Sequence, residues 1–335
     1  MREGLTYDDV LIVPNYSDIL TRADIDIRSK VLGEYRLPII SAPMDTIASA
    51  KLVNRLSELG AYGILHRFAD TEKLSEAVYE ARTHSYTGQF GVSIGVKDWE
   101  ATKRWLDYIA PAKPHSICID VAHGHHALVG EAIANVREWA AENGQDIEII
   151  AGNVATAKGF NFLAEAGATA VRVGIGPGSA CTTRETTGVG YPQLSAIQHV
   201  ATAKDYGRWD DVSIIADGGI KTPGDIAKAL AAGADAVMLG RMFAGTDETP
   251  GVVKYGKKIY RGQSTVGTNG ERNAPEGITG MVEVAGPVEA VINRLVHYLR
   301  SSFSYVGASN LSEFRLKAEF VRVSPMTYVE SGTRL

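Results

Sequence analysis

The segment from Gly174 to Arg184 contains the residues with the clearest capacity for chemistry. It reads GIGPGSACTTR and places a cysteine, Cys181, directly after a stretch with three glycines. Such a loop is expected to expose the thiol, and a nearby cation or oriented amide groups would favour the reactive thiolate. The glycine-rich backbone also leaves carbonyl oxygens free to coordinate a hard monovalent cation. Cys118, by contrast, lies inside an apolar run, where a buried and inert thiol is expected.

A second candidate site is rich in glycine and is expected to bind phosphate. Asp217-Gly218-Gly219 follows one apolar run and precedes Pro223-Gly224-Asp225, which is typical of a helix start, and Gly240 ends the next run. Glycine N–H groups approach an anion closely, and a helix N-terminus adds a favourable dipole. Flavin-binding barrels share this pattern, and tight turns without a ligand would also produce it.

A repeating framework of strands and helices must position these loops. Short β-branched runs alternate with Ala-rich amphipathic stretches, and the runs are apolar throughout, as in a parallel sheet buried on both faces. The predicted strands are LPIISAP (from Leu37), AYGILHR (from Ala61), GVSIGV (Gly91–Val96), SICIDVA (Ser116–Ala122), IEIIAGNV (Ile147–Val154), AVRVGIG (Ala170–Gly176), VSIIADGG (Val212–Gly219) and AVMLG (Ala236–Gly240).

This alternation predicts an α/β fold. Three of the intervening helix patterns end in glycine, at Gly60, Gly167 and Gly233, as helix C-caps do. Eight strands with helices between them predict a (β/α)8 TIM barrel, formed by residues 1–335 as a single domain; a doubly wound open sheet is the alternative. Several strands end in small or polar residues, and in a TIM barrel these C-terminal ends build the active site.

Composition restricts the class of protein further. Of the 335 residues, 45% are hydrophobic and 22% are charged, and the net charge of −5 argues against a nucleic-acid partner. Two cysteines exclude a disulfide framework and indicate a reducing, cytoplasmic location. No apolar run approaches the ~18 residues that span a bilayer, and the N-terminus lacks the apolar region of a signal peptide.

Taken together, the motifs resemble those of the IMP dehydrogenase and GMP reductase family. GIGPGSACTTR is similar to the signature loop of the family, and SAPMDT, DVAHGH, AGNVAT, ADGGI and GDIAKALAAGADAVMLG follow the family's order, so the resemblance covers nearly the whole chain. It implies a (β/α)8 barrel that assembles as a homotetramer. It also implies that Cys181 bonds covalently to the purine C2 atom and that Thr183 transfers a proton. Carbonyl oxygens would bind K⁺ at Gly176, Gly178, Cys181 and Arg184.

The resemblance further implies which residues bind the nucleotide and the cofactor. Asp217 would hold the ribose hydroxyls, and Gly219 and Gly240 would contact the phosphate. The implied nucleotide set is Asp217, Gly218, Gly219, Gly240, Arg241, Gly262, Gln263, Ser264 and Gly277. The implied cofactor set is Thr21, Arg22, Arg67, Asp120, Val121, Ala122, Ile175, Gly176, Ser302 and Tyr305. In that set, Thr21 and Arg22 resemble a stretch that reaches the cofactor of a neighbouring subunit.

The family contains two activities, and three features favour the GMP reductase, which converts GMP to IMP and ammonia with NADPH. First, no insertion separates the early strands, where dehydrogenases usually have CBS domains. Second, the active-site flap around residues 262–280 is short and has no Arg-Tyr pair. Third, TGVGYPQLSA and SSFSYVGA resemble reductases. By the same resemblance, Glu276 works with Thr183 to protonate the leaving ammonia, because amide ion is a very poor leaving group.

Other features keep alternatives open. Pro275-Glu276-Gly277 and LKAEFVRVS resemble dehydrogenases, and some dehydrogenases lack CBS domains, so a NAD-dependent IMP dehydrogenase with K⁺ is the first alternative. A flavin-dependent barrel oxidoreductase and a non-catalytic nucleotide sensor are the others; the Cys181 loop argues against the former, and the retention of Cys181, Thr183 and Glu276 against the latter. The histidines of His123-Gly124-His125-His126 would suit a metal, but the resemblance argues against one.

Overall fold

The computed structural model describes residues 3–84, 89–204, 208–262 and 276–331. The strands are β1 (Val10–Ile12), β2 (Ser29–Val31), β3 (Glu34–Arg36), β4 (Ile39–Ser41), β5 (Ile64–Leu65), β6 (Gly91–Ile94), β7 (Ser116–Asp120), β8 (Glu148–Val154), β9 (Ala170–Val173), β10 (Ser213–Asp217), β11 (Ala236–Leu239), β12 (Lys257–Arg261), β13 (Thr279–Glu283) and β14 (Phe320–Arg322). The α-helices are α1 (Ala50–Glu58), α2 (Thr71–His84), α3 (Trp99–Ile109), α4 (Ala127–Glu142), α5 (Ala157–Ala166), α6 (Thr183–Thr187), α7 (Gln193–Lys204), α8 (Pro223–Ala231), α9 (Val288–Val306), α10 (Leu311–Lys317) and α11 (Pro325–Glu330).

Strands β4 to β11 form a closed parallel barrel. The strand order is β4-β11-β10-β9-β8-β7-β6-β5, and every neighbouring pair is parallel. The barrel closes between β4 and the residues that lead into β5. Tyr62 N donates to Ile39 O (3.0 Å), and Ser41 N donates to Tyr62 O (2.9 Å). The predicted (β/α)8 barrel is therefore confirmed, and the open sheet is wrong. All eight predicted apolar runs contain a barrel strand.

Side chains of the barrel strands alternate between two apolar layers, which explains why the runs are apolar throughout. One cluster fills the inside of the barrel and includes Ile40, Cys118 and Ile215. Their chain neighbours, such as Ile39 and Ile119, belong to the larger cluster that the helices also contribute to. Cys118 is thus buried in the interior, as predicted.

Helix boundaries follow the expected local rules. Helix α5 begins after Thr156, whose hydroxyl accepts the Gly159 N–H, and ends at Gly167 with a φ of 107°, which favours glycine. Gly60 and Gly233 likewise have φ of 76° and 112°. Gly167 is therefore confirmed as a helix C-cap, whereas Gly60 and Gly233 follow the C-caps Leu59 and Ala232 by one residue. No helix in the described ranges is long and apolar enough to cross a membrane.

The two ends of the described chain meet outside the barrel. Strand β1 pairs with β14 in antiparallel register, with Val10 opposite Arg322. A 3-10 turn, Tyr7–Asp9, precedes β1. It places the ring of Tyr7 against the backbone of Gly219, where an added Cβ would lie 3.4 Å from the ring. This contact supports the loop that follows β10, so the N-terminal segment contributes to the C-terminal face of the barrel.

Candidate active site

The C-terminal ends of the barrel strands surround a cavity of about 270 Å³. The loops after β9, β10 and β11 contribute most of its wall, and the segment that follows residue 275 covers one side. The predicted residues that line it are Arg67, Asp120, Val121, Ala122, Ile175, Gly176, Gly178, Cys181, Thr183, Asp217, Gly218, Gly219, Gly240, Arg241, Gly262 and Glu276. Residues from distant parts of the sequence therefore meet at the face on which they were expected.

Cys181 lies at the mouth of this cavity, next to the hydroxyl of Thr183, which in turn contacts the carboxylate of Glu276. The thiol is exposed and donates to Thr183 Oγ1 over 3.2 Å, and Thr183 Oγ1 donates to Glu276 Oε2 over 2.6 Å. The contrast with Cys118 is clear, since burial raises the pKa of the Cys118 thiol to about 12. Cys181, Thr183 and Glu276 thus form a continuous path for a proton between the cavity and a carboxylate.

Backbone pairing holds Glu276 next to the nucleophile loop. The Gly178 carbonyl accepts the Cys181 N–H (3.0 Å), which closes the turn that presents the thiol. The next N–H, of Thr182, donates to the carbonyl of Glu276 (3.0 Å), and Cys181 forms an antiparallel bridge with Gly277. The position of the carboxylate is therefore set by main-chain bonds.

Asp217 and Asp120 share one guanidinium on the floor of the cavity. Arg172, in the middle of β9, donates from Nη2 to Asp217 Oδ2 (2.8 Å) and from Nη1 to Asp120 Oδ1 (2.5 Å). The amide of Asn153 also donates to Asp217 Oδ2 (2.8 Å). These bonds fix two carboxylates that the sequence assigns to different ligands.

The glycine-rich loop after β10 packs against the turn that presents the thiol. Gly218 and Gly219 have φ of 91° and 80°, and a Cβ on Gly218 would lie 3.0 Å from the Gly178 nitrogen. Only a glycine allows this approach of the β9 and β10 loops without strain. Gly240 is equally close to a phenol, because a Cβ there would lie 3.2 Å from the Tyr260 hydroxyl. Gly218, Gly219, Gly240 and Tyr260 thus line the same cavity.

Several cofactor residues converge on the other side of the cavity. Arg67 Nη2 donates to the Asp120 carbonyl (3.2 Å), its guanidinium lies over the Phe68 ring (4.5 Å), and its Nε has no hydrogen-bond partner among the described residues. Thr21, Arg22, Ser302 and Tyr305 do not line the cavity. Arg22 instead bonds Ser301 Oγ (2.9 Å) and lies 5.7 Å from the centre of the Tyr305 ring. The cofactor role of these four residues remains a prediction, which for Thr21 and Arg22 involves the cofactor of a neighbouring subunit.

Other predicted positions have mixed outcomes. Gln263 and Ser264, and with them residues 263–275 of the flap, lie outside the described residues. Gly277 lies beside Cys181 through the antiparallel bridge, and Gly262 N–H bonds the Ile278 carbonyl (3.0 Å). For K⁺, Gly176 and Gly178 lie in the turn before the thiol. The Gly178 carbonyl accepts the Cys181 N–H (3.0 Å), and the Arg184 carbonyl accepts the Gly188 N–H (3.1 Å). The ranges that the structure covers contain no cluster of metal-ligating side chains, including around His123, His125 and His126.

Two residues of the site were not singled out from the sequence. Arg172 is one charged residue within the apolar run AVRVGIG, and a buried arginine is tolerated only when it is paired. That rule predicts nearby carboxylates but does not say which ones. Tyr260, whose hydroxyl lies 3.4 Å from Ser179 Oγ, lies on β12, a strand that the pattern of apolar runs does not predict.

The fold and site together define a (β/α)8 barrel with a cysteine at the mouth of a nucleotide-sized cavity. Comparison with known proteins agrees with this class. Residues 4–334 match the IMP dehydrogenase / GMP reductase domain. The chain is 38% identical to the GMP reductase of Shigella boydii, over 95% of this chain and 94% of that protein. It is 36% identical to the GMP reductase of Onchocerca volvulus (98% and 93%) and 32% identical to the inosine-5′-monophosphate dehydrogenase of Aquifex aeolicus (99% and 95%).

The chain therefore belongs to the IMP dehydrogenase / GMP reductase family. Members of this family are oxidoreductases that act on purine nucleotides with a nicotinamide cofactor. The resemblance inferred from the sequence motifs is thus confirmed at the level of the family.

Proposed function

We propose that this protein is a GMP reductase, which converts GMP to IMP and ammonia with NADPH. The observation on which the proposal rests is the hydrogen-bond path from Cys181 through Thr183 to Glu276. A thiol alone can add to the purine C2 atom, but expulsion of the 2-amino group also requires a proton donor beside the amine. The path supplies a nucleophile and a proton donor within one loop pairing.

The proposed chemistry has two steps on Cys181. In the first, the Cys181 thiol releases its proton to solvent and Sγ bonds to C2 of GMP while the C2–N3 π pair moves onto N3. Thr183 and Glu276 then deliver a proton to the amine, and the C2–N bond breaks as the N3 pair returns, which releases ammonia. In the second, hydride is added to C2, the electron pair of the S–C2 bond returns to sulfur, and IMP leaves. The Cys181 thiolate and Glu276 each take up a proton from solvent before the next cycle.

The chain's own residues fit a nicotinamide dinucleotide beside the nucleotide. When bound, NADPH would supply the hydride. Asp120, Val121 and Ala122 line the same cavity as Cys181. Arg67 has a buried Nε that lies 3.9 Å from Asp120 Oδ2 and has no hydrogen-bond partner among the described residues. Such a guanidinium is suited to a phosphate oxygen of the cofactor. The orientation of Arg67 over Phe68 would keep the group at the edge of the cavity.

The length of the segment between β5 and β6 supports the reductase. One helix, α2, connects the two strands, apart from residues 85–88, which lie outside the described ranges. The alignment with the Aquifex dehydrogenase spans 476 positions, so that protein has a long stretch without a counterpart here, whereas the alignment with the Shigella reductase spans 339. We further propose that residues 1–335 form one catalytic domain, that K⁺ binds near Cys181, and that the enzyme is a cytoplasmic homotetramer.

The second candidate is an IMP dehydrogenase, which would oxidise IMP to XMP with NAD⁺. It is favoured by the Aquifex relative, whose similarity extends over 99% of this chain. Two absorbance assays on the purified protein distinguish the candidates. Consumption of NADPH with GMP, together with release of ammonia, is the expected result. Formation of NADH from IMP, NAD⁺ and K⁺, with no reaction of GMP, would replace the proposal by the dehydrogenase.

A further inference from the structure

One guanidinium lies between the two carboxylates of the cavity floor. Arg172 donates through Nε (3.2 Å) and Nη2 (2.8 Å) to Asp217 Oδ2, and through Nη1 (2.5 Å) to Asp120 Oδ1. Its side chain is 8% exposed, compared with 15% for Asp120 and 17% for Asp217. The arginine is therefore beneath the carboxylates, and the carboxylates face the cavity.

Charge pairing makes this arrangement stable and permanent. Burial by itself lowers the pKa of an arginine, but the carboxylates of Asp217 and Asp120 outweigh burial and raise the pKa of Arg172 well above its ordinary value. A buried cation needs such partners, and buried carboxylates need the cation equally. The two carboxylates thus hold Arg172 in its charged form.

The pairing also determines which carboxylate oxygen is free. Asp217 Oδ2 accepts from Arg172 and from Asn153 Nδ2 (2.8 Å), whereas no hydrogen bond from the described residues ends on Oδ1. Asn153 is itself held by a bond to the Gly174 carbonyl (2.8 Å). Since a carboxylate oxygen held by three N–H donors cannot rotate without losing all of them, Oδ1 is kept toward the cavity.

We infer that Arg172 is a positioning residue for both ligands, which orients Asp217 toward the ribose hydroxyls of the nucleotide and Asp120 toward the cofactor. The inference rests on the proposed function, because it takes a purine nucleotide and a nicotinamide dinucleotide as the ligands. It goes further in assigning selection for the ribose hydroxyls to the Arg172–Asp217 pair. A single change at Arg172 should consequently affect two ligands, whereas a change at either carboxylate should affect one.

The test compares binding of GMP with binding of 2′,3′-dideoxy-GMP, measured calorimetrically in a Cys181→Ala background that prevents covalent addition. A hydrogen bond to a charged group changes affinity about 10- to 100-fold, so the protein with Arg172 intact should prefer GMP by about that ratio. Arg172→Lys keeps the charge but loses the planar fork, and its ratio should fall to within about threefold of unity. Its affinity for the dideoxynucleotide should stay nearly constant, which a general loss of structure would not allow.

Three further variants complete the pattern. Asp217→Asn should lose the preference for GMP without raising the KM for NADPH, Asp120→Asn should raise only that KM, and Arg172→Lys should do both, the KM values being measured with Cys181 present. Cys118→Ala is the matched control, because Cys118 Sγ lies 3.5 Å from Arg172 Nη1 but faces the barrel interior. It should leave both quantities unchanged. An unchanged GMP preference or an unchanged NADPH KM in Arg172→Lys overturns the inference.

Misfolding of Arg172→Lys would not leave the question open. The double variant Arg172→Gln with Asp120→Asn removes the cation together with one of its carboxylates and leaves fewer unpaired buried charges. It should also lose the GMP preference, and retention of the preference overturns the inference. Failure of the proposed function is visible separately, as absence of GMP reduction by the unmodified protein. A protein that reduces GMP but does not distinguish it from the dideoxy form refutes the role of Arg172 alone.

Discussion

Replacement of Glu276 by glutamine tests the proposed proton transfer most directly. In the structure Glu276 Oε2 accepts the Thr183 hydroxyl over 2.6 Å, and the backbone carbonyl of Glu276 accepts the Thr182 N–H. Glutamine is nearly the same size and retains an oxygen acceptor, so the loop pairing should persist. It cannot, however, give up or take up the proton of a carboxylic acid. The change is therefore expected to remove chemistry and to leave the geometry in place.

The size of the effect follows from this role. One positioned acid–base group contributes about 10²- to 10⁴-fold to a rate, which corresponds to about 3–5 kcal/mol of the activation barrier. We expect kcat for GMP with NADPH to fall by that factor, and KM for GMP to change less than about threefold because Glu276 acts on the departing amine. Glu283→Gln is the matched control. Glu283 lies on β13, where it pairs with Lys257 (2.9 Å) away from the cavity, and the variant should have wild-type kcat.

A partial reaction separates the role of Glu276 from a general effect on the thiol. With IMP and NADP⁺, the reverse of the hydride step forms the Cys181 adduct and one equivalent of NADPH without involving ammonia. Glu276→Gln should therefore give a normal burst of NADPH in rapid-mixing absorbance measurements, while ammonia release from GMP is slow. Two results would refute the reasoning: a kcat within about threefold of wild type, or a burst that is slowed as much as the overall reaction.

Three further predictions concern reactivity and stability. Iodoacetamide should label Cys181 in the native protein and leave Cys118 unmodified until urea is added, because burial raises the pKa of the Cys118 thiol to about 12. Mass spectrometry measures the labelling, and a label on the native Cys181→Ala variant would contradict this prediction. Phe160→Ala, in the buried face of α5, should lower the free energy of unfolding by about 3–5 kcal/mol in urea titrations, while Lys158→Ala on the exposed face should change it by less than about 0.5 kcal/mol. Burial lowers the pKa of His66 below its ordinary 6.5, so as the pH falls the imidazole is protonated at a higher pH in the unfolded chain than in the folded protein. The free energy of unfolding should therefore decrease as the pH drops through 6.5. His66→Gln should flatten that part of the stability–pH curve.

The barrel strands were predictable because each is apolar on two sides. Runs such as SICID face the barrel interior with one set of side chains and the helices with the other, and few other folds require that pattern in eight successive segments. The short strands outside the barrel gave no such signal. β12, for example, reads KKIYR, and tertiary pairing with β13 decides its conformation more than its own composition does.

The candidate site was predictable to the extent that its chemistry is local in sequence. Cys181 and Thr183 are two residues apart, so their proximity follows from the loop itself. The contact of Thr183 with Glu276 joins residues that are 93 positions apart. The resemblance to the family predicts this contact, but the periodicity of apolar residues does not. The pairing of Arg172 with Asp120 and Asp217 depends on strand order inside the closed sheet, because β7 and β10 are on opposite sides of β8 and β9. Only the three-dimensional arrangement shows that one arginine reaches both.

The pairing of β1 with β14 has a consequence for synthesis of the chain. Residues 10–12 are translated before every barrel strand, whereas their partners at 320–322 are translated after the last one. Tyr7, just ahead of β1, rests on the turn at Gly219, so the support of that turn is completed after most of the barrel has already been translated. A nascent chain should therefore assemble its helices and parallel strands first and complete the support of the loop after β10 only when β14 has emerged.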